Sequence, residues 1–243
     1  MKKVSAFKKF FVLNIHRFLL NKIFKPFVNM NVKPLPFELI KGTKCLLIAP
    51  HPDDESIGCG GILNLYPNCF DVVCLTHGNN PVRHEEFEKA MKIISPNNYG
   101  MMNLYDKDVI SGYNEFRNIP VCEYDYIFVP YIYDQHRDHK AVSIHLKRLL
   151  DEEDIKPKKT LKIVFYEVWS AINTPNYYTD ISSVITKKIL CISQHKSQDG
   201  AGFAKRITGL NSYRGMQKNS EYAEAFLVLN YIDFCDIVES LEN

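Results

Sequence analysis

The chain has 243 residues, of which 46% are hydrophobic and 24% charged, with a formal net charge of +2. This is the balance of an ordinary globular protein long enough for one sizeable core, which sets aside fibrous and wholly disordered classes. The charge is unevenly placed. Residues 1–41 hold nine Lys or Arg against Glu38 alone, a net +8 that leaves −6 for the remainder.

Residues 4–25 read as an amphipathic helix ended by Pro26, with Val4, Phe7, Phe11, Ile15, Phe18, Leu19 and Ile23 at helical spacing and most of the cations off that stripe. Such a segment either lies in a membrane interface or packs on the body or on another subunit. It is too short in apolar residues to span a bilayer. It also lacks the small-residue cleavage site of a secretory signal. Pro34 and Pro36 mark a connector. Beyond them strands are expected at Lys44–Ala49, Asp71–Thr76, Asn98–Leu104, Tyr124–Pro130 and Leu161–Val168. Helices are expected at Ile57–Leu65, Val82–Ile94, Asp138–Leu150 and Ser182–Ser193. Tyr222–Tyr231 fits a strand or the end of a helix. Alternating strands and helices predict an α/β fold: a Rossmann-like, mostly parallel sheet with helices on both faces. The seven cysteines are odd in number and form no Cys-x-x-Cys, so neither a disulfide framework nor a zinc ribbon is expected, and a reducing cytoplasm suits them.

Two polar clusters follow apolar runs. His51-Pro52-Asp53-Asp54-Glu55 leaves the first strand, and His136-Arg137-Asp138-His139 follows Tyr124–Pro130. In open α/β sheets the functional crevice lies at the carboxyl ends of the strands, so the two loops meet if their strands are neighbours. A catalytic zinc takes three protein ligands and keeps a position open for water. His51, Asp54 and His139 offer two nitrogens and one oxygen. Asp53 is then free to act as a base, since a carboxylate tied to a metal loses basicity. His136 suits an oxyanion or a leaving amine, and Asp138 suits orienting a neighbouring ligand. Taken singly, each cluster also has a plainer reading: a polar loop, a Pro-Asp-Asp turn, or Asp138 capping the helix it begins.

The ordered set His51-Pro52-Asp53-Asp54-Glu55, Gly58-x-Gly60-Gly61 and His136-x-Asp138-His139 resembles the LmbE-like or PIG-L superfamily. Leu75-Thr76-x-Gly78, Arg83-x-Glu85-Glu86, His195-x-Ser197-Gln198 and Tyr222-Ala223-Glu224-Ala225-Phe226 extend the resemblance over roughly residues 43–228. The chain accordingly divides into a basic extension, 1–41, and an LmbE-like deacetylase domain, 42–243. The resemblance implies a zinc-dependent N-deacetylase acting on N-acetylglucosamine-type sugars. By position it makes His51, Asp54 and His139 the zinc ligands, Asp53 the general base and His136 the residue that assists the tetrahedral intermediate. It makes Arg83 a contact to a substrate hydroxyl or phosphate. Tyr133 is a candidate oxyanion donor, and Asp134 fits members with an acid two places before the first His. Gly60 and Gly61 are expected to be packing glycines. His77 either lines the cleft or lies at the surface, with the surface favoured, and His195 is expected in structural hydrogen bonding. Tyr166 and Trp169 either reach the cleft rim, where rings stack on sugar faces, or pack in the core.

The expected reaction releases acetate from an N-acetyl amino sugar on a glycoconjugate or lipid-linked glycan, with a soluble nucleotide sugar or thiol-precursor glycoside left open, and with Zn2+ as cofactor; Fe2+ suits the same ligands. The alternatives are hydrolysis of a different amide or ester at the same site, or a sugar-binding module without turnover. The expected partners are the sugar and, where residues 4–25 lie in an interface and do not pack on the protein, a membrane surface at the cytoplasmic face. No nucleic-acid partner is expected.

Overall fold

The computed structural model describes residues 42–242. The helix expected over residues 4–25 lies outside them. Among the described residues no helix is long and apolar enough to cross a membrane.

In chain order the elements are β1 (Cys45–Ala49), α1 (Asp54–Leu65), β2 (Phe70–Thr76), α2 (Pro81–Ile94), β3 (Asn98–Leu104), the single turn α3 (Tyr113–Phe116), β4 (Tyr126–Pro130) and α4 (Arg137–Leu150). Then come β5 (Lys162–Tyr166), β6 (Tyr177–Asp180), α5 (Ile185–Ile192), α6 (Phe203–Lys218), β7 (Ala223–Asn230) and α7 (Tyr231–Glu242). Seven strands form one sheet in the order β3-β2-β1-β4-β5-β7-β6. The first five strands of this order pair in parallel, and β7 runs antiparallel to both β5 and β6.

The central strands read as continuous apolar runs because both of their faces are covered. Every residue of β1, Cys-Leu-Leu-Ile-Ala, is buried, as is every residue of β4. The chain winds outward from β1 to β2 and β3, then returns to the other side of β1 as β4. The strand order therefore switches between β1 and β4, and the loops after these two strands open at that switch point.

Helix α1 begins at Asp54, three residues before the apolar periodicity, so that Asp54 and Glu55 occupy its first turn. It lies unusually close to its neighbours. A Cβ on Gly58 would stand 2.3 Å from the Tyr166 ring, and one on Gly61 would stand 2.4 Å from Ile181. The packing role expected of the motif glycines is met. Behind Gly61 the buried Glu224 carboxylate accepts the backbone N–H groups of Gly61 at 2.7 Å and Ile62 at 2.9 Å, and pairs with Lys188 at 2.7 Å. A buried carboxylate is tolerated when its oxygens are satisfied in this way.

Tyr222–Tyr231 resolves as strand β7. Four elements had no expectation: α3, β6, α6 and α7. The start of α4 also differs from the plainer reading of Asp138. The N-cap is His136, whose Nδ1 accepts the backbone N–H of Asp138 at 3.2 Å, so the Asp138 carboxylate is free to face elsewhere.

Candidate metal centre and its cavity

The β1–α1 loop carries His51, Asp53 and Asp54, and the β4–α4 loop carries Asp134, His136, Asp138 and His139. One oxygen, Asp54 Oδ2, lies 3.2 Å from His51 Nδ1 and 3.3 Å from His139 Nε2. The same oxygen accepts the His51 backbone N–H at 2.9 Å. Two donors on one tetrahedral zinc stand about 3.3 Å apart, given bonds of about 2.0–2.1 Å. The ring centroids of His51 and His139 are 5.6 Å apart. Neither ring nitrogen of His139, which is fully buried, makes a hydrogen bond of acceptable geometry. Buried nitrogens are seldom left so, and a cation beside Nε2 would satisfy one of them.

The far nitrogens of both rings also meet carboxylates. His51 Nε2 lies 3.1 Å from Asp138 Oδ2, and His139 Nδ1 lies 3.4 Å from Asp134 Oδ2. Carboxylates on the outer nitrogens fix the tautomer that leaves the inner lone pair free for a metal. Asp138 is itself held by the backbone N–H groups of Lys107 at 2.7 Å and Val109 at 3.2 Å. Asp134 accepts those of His136 and Trp169, each at 2.9 Å, and of Ser170 at 3.1 Å.

These acids make the pit strongly electronegative. Burial disfavours charge on His51, yet Asp138 and Asp54 push its pKa up to about 10. Burial is likewise outweighed at His139, where Asp54 and Asp134 push the pKa up to about 9. Asp54 is held well below the usual carboxylate range by His139 and His51 despite its burial. A pit that draws protons this firmly is suited to a divalent cation, and the donor set of two imidazoles and one carboxylate fits zinc or iron(II). Two other groupings place ligand atoms within 4.8 Å of one another: His51 with His136 and His139, and His51 with Asp106 and Asp138.

Asp53 stands apart from this cluster. Its backbone has φ 131°, a conformation that L residues rarely adopt. Its N–H donates to Glu55 Oε2 at 3.0 Å, and its Oδ1 is 3.7 Å from Arg83 Nη2. Burial and the neighbouring Asp54 carboxylate raise its pKa to about 7, against the pull of Arg83. Glu55, which had no assigned role, closes the turn from behind. Its Oε1 accepts from Ser56 Oγ at 2.7 Å and lies 3.1 Å from His195 Nε2, as the structural reading of His195 expects.

A cavity of about 240 Å³ opens over these groups and is lined by His51, Asp53, Asp54, Arg83 and His136 among others. Arg83 is buried rather than solvated. Asn80 caps α2 by accepting the N–H groups of Val82 and Arg83, and the Arg83 guanidinium donates to the Pro52 carbonyl. His77, expected at the surface, lines the cavity instead, because φ 62° turns the chain at the end of β2. Asp106, which no motif marked, lies on the same wall, with its Oδ1 3.3 Å from His51 Nε2. Trp169 and Gln198 also line the cavity, whereas Tyr166 is a core residue whose hydroxyl donates to the Ile48 carbonyl. Tyr133 is not among the lining residues. Its ring stands edge-on to Tyr131 at 5.6 Å.

Residues 46–149 match the family described as PIG-L: GlcNAc-PI de-N-acetylase. Over that segment, which holds both motif loops, the chain is similar to the PIG-L (LmbE-like) family.

Solved structures share the fold. The N,N'-diacetylchitobiose deacetylase from Pyrococcus horikoshii superposes with a TM-score of 0.67 at 20% identity, covering 90% of this chain and 93% of that one. The conserved protein TT1542 from Thermus thermophilus gives 0.63 at 21% identity, over 76% and 94%. GalB, the 4-carboxy-2-hydroxymuconate hydratase from Pseudomonas putida, gives 0.58 at 20% identity, over 76% and 96%. A hydratase on this fold means that the reaction has to be argued from the site, not from the sheet. The PIG-L match includes both loops of the metal centre. It stops before Trp169, His195 and Gln198, which the remaining strands and helices bring to the same region.

Proposed function

We propose that the protein is a zinc-dependent N-deacetylase of N-acetylglucosamine-type sugars. The PIG-L match, and a deacetylase among the structures of its fold, support a metal-dependent N-deacetylase. The observation that carries the reading is the Asp54 oxygen set 3.2 and 3.3 Å from two imidazole nitrogens, with the Asp53 carboxylate beside it turned to Arg83.

In this reading His51 Nδ1, Asp54 Oδ2 and His139 Nε2 hold the cation. When bound, the metal polarises the amide carbonyl and makes water acidic near neutral pH. Asp53 takes the proton of the attacking water, for which a pKa near 7 is well placed. Arg83, 3.7 Å away, orients the Asp53 carboxylate and moderates its pKa. His136 lies 4.7 and 4.9 Å, ring to ring, from His51 and His139, where it can donate to the oxygen of the tetrahedral adduct. Asp53, now protonated, or His136 passes a proton to the departing nitrogen as the C–N bond breaks. Water and amide are consumed, and acetate and a free amino sugar are formed.

Within this proposal the substrate is a glycoconjugate or lipid-linked glycan intermediate. The basic, Phe-rich residues 1–41 form an extension that brings the domain to an anionic membrane surface at the cytoplasmic face. Acetate release from a panel of N-acetylglucosamine glycosides, with and without a chelator, tests the chemistry. Release that survives complete removal of metal, or no release from any member by the metal-loaded protein, defeats it. Cosedimentation of the full chain with phosphatidylglycerol vesicles, compared with a Phe7→Ser/Phe11→Ser variant, tests the extension. Equal partitioning of the two proteins removes these rings from the role.

A further inference from the structure

A second cavity, of about 160 Å³, lies beside the metal centre and shares one wall with it. Its lining is apolar apart from Arg206: Ile57 of α1, Val168 and Trp169 after β5, and Phe203 and Ile207 of α6. Trp169 belongs to both cavities and separates the polar one from the apolar one. Trp169 is 53% exposed, and its indole meets the Phe203 ring edge-on at 5.3 Å. Its backbone is fixed, because the Trp169 N–H donates at 2.9 Å to Asp134, the carboxylate that faces His139. The partition is thus tied to the metal centre, and Ile57 stands only three residues along α1 from Asp54.

We infer that this pocket is a subsite for the aglycone, and that the substrate is an amino-sugar glycoside carrying a chain-like apolar group of the alkyl or prenyl type. The inference rests on the reading of the metal centre as a site for an N-acetylated sugar. A sugar held over His51 and Asp53 lies on one side of Trp169, and a group leaving its anomeric oxygen can pass along the indole to Phe203 and Ile207. Large apolar side chains facing a cavity this close to reacting groups are suited to excluding water from a matching ligand chain. A free monosaccharide or a nucleotide sugar would leave the pocket without a partner. Five of the six lining residues are Val168, Trp169, Phe203, Arg206 and Ile207. They lie beyond the segment matched to the family, so the subsite belongs to this chain's own carboxyl-terminal half.

The test is calorimetric binding of two product-like amines to the zinc-loaded full chain: methyl β-glucosaminide and octyl β-glucosaminide. Each buried methylene is worth about fourfold in affinity, so octyl is expected to bind at least about tenfold more tightly. A Phe203→Ser variant, shown to be folded by its thermal transition, is expected to lose most of that advantage. Equal affinity of the two glycosides for the unmodified chain, or a failure of both to bind, overturns the subsite. An octyl advantage that is unaffected by Phe203→Ser overturns its location. Because the measurement needs no turnover, it is separate from acetate release. A protein that prefers the octyl glycoside yet releases no acetate would fail the proposed reaction and keep the subsite.

Discussion

Asp134 faces His139 at the floor of the candidate metal centre, with Oδ2 3.4 Å from Nδ1 and neither side chain exposed. The same carboxylate accepts three backbone N–H groups, so it is fixed before the imidazole is. An acid that orients a ligand in this way commonly contributes 10–100-fold to metal affinity. Asp134→Ala is expected to weaken zinc binding by about that factor, measured by competition with a chromogenic chelator. Undiminished affinity would show that His139 is held by other means.

Asp53 is argued to move protons and not to hold metal. Asp53→Asn keeps the shape and loses the base. Acetate release is expected to fall by roughly 10²–10⁴-fold, the usual weight of a general base. Zinc content, measured by elemental analysis, is expected to stay at one ion per chain. A variant that loses its zinc would instead place Asp53 among the ligands.

A cation bound at this site would also contribute to folding. Without a cation, Asp54 and Asp53 stand side by side, balanced by the imidazoles of His51, His139 and His195 and by Arg83. A ligand that binds only the folded state stabilises it by mass action, about 2.7 kcal/mol at a hundredfold excess over its dissociation constant. Exhaustive chelation is expected to lower the thermal transition, and added Zn2+ to restore it. A transition indifferent to both would argue against a bound ion.

His195 supplies a pH dependence of stability. Burial lowers its pKa, but Glu55 raises it further, so the folded value lies above the ordinary 6.5. A raised histidine contributes stability that is complete below pH 6.5 and fades as pH climbs through the folded value. His195→Gln is expected to cost roughly 1–3 kcal/mol at pH 6, the worth of a buried hydrogen bond to a charged group. The gap from the unmodified protein is expected to narrow above pH 7. Urea titrations at several pH values would read it, and a gap that widens with pH contradicts the pairing.

Gly58 is a packing test. A methyl there would meet the Tyr166 ring at 2.3 Å and the Glu167 carbonyl oxygen at 2.9 Å, and the carbonyl is backbone that cannot swing aside. Gly58→Ala is expected to destabilise by roughly 1–3 kcal/mol despite the better helix propensity of alanine. A neutral or stabilising result in urea would show that α1 has room to move off β5.

The parts of the fold that could be read from sequence are those with one dominant constraint. β1 and β4 are buried on both faces, so their residues are uniformly apolar and their boundaries fall within two residues of expectation. Helix α6 escaped because its buried positions include Asn211, Arg214 and Gly215, which leave no apolar stripe. β6 is a four-residue edge strand, largely half-buried, with too little alternation to register. At the site, the two motif loops carried their own signal. Asp106 and His77 did not, because each is a single residue at the end of a strand and is brought in only by sheet order and a left-handed turn. Trp169 could be placed near a strand end, but its place between two cavities depends on α6.

The dihedral angle at Asp53 has a cost that falls on the whole molecule. Holding an ordinary side chain at φ 131° opposes folding by about 1–3 kcal/mol. Glycine would relax that corner and remove the carboxylate with it. Attempts to make this protein more heat-resistant therefore have to leave one weak joint in place and find their gains on remote helices.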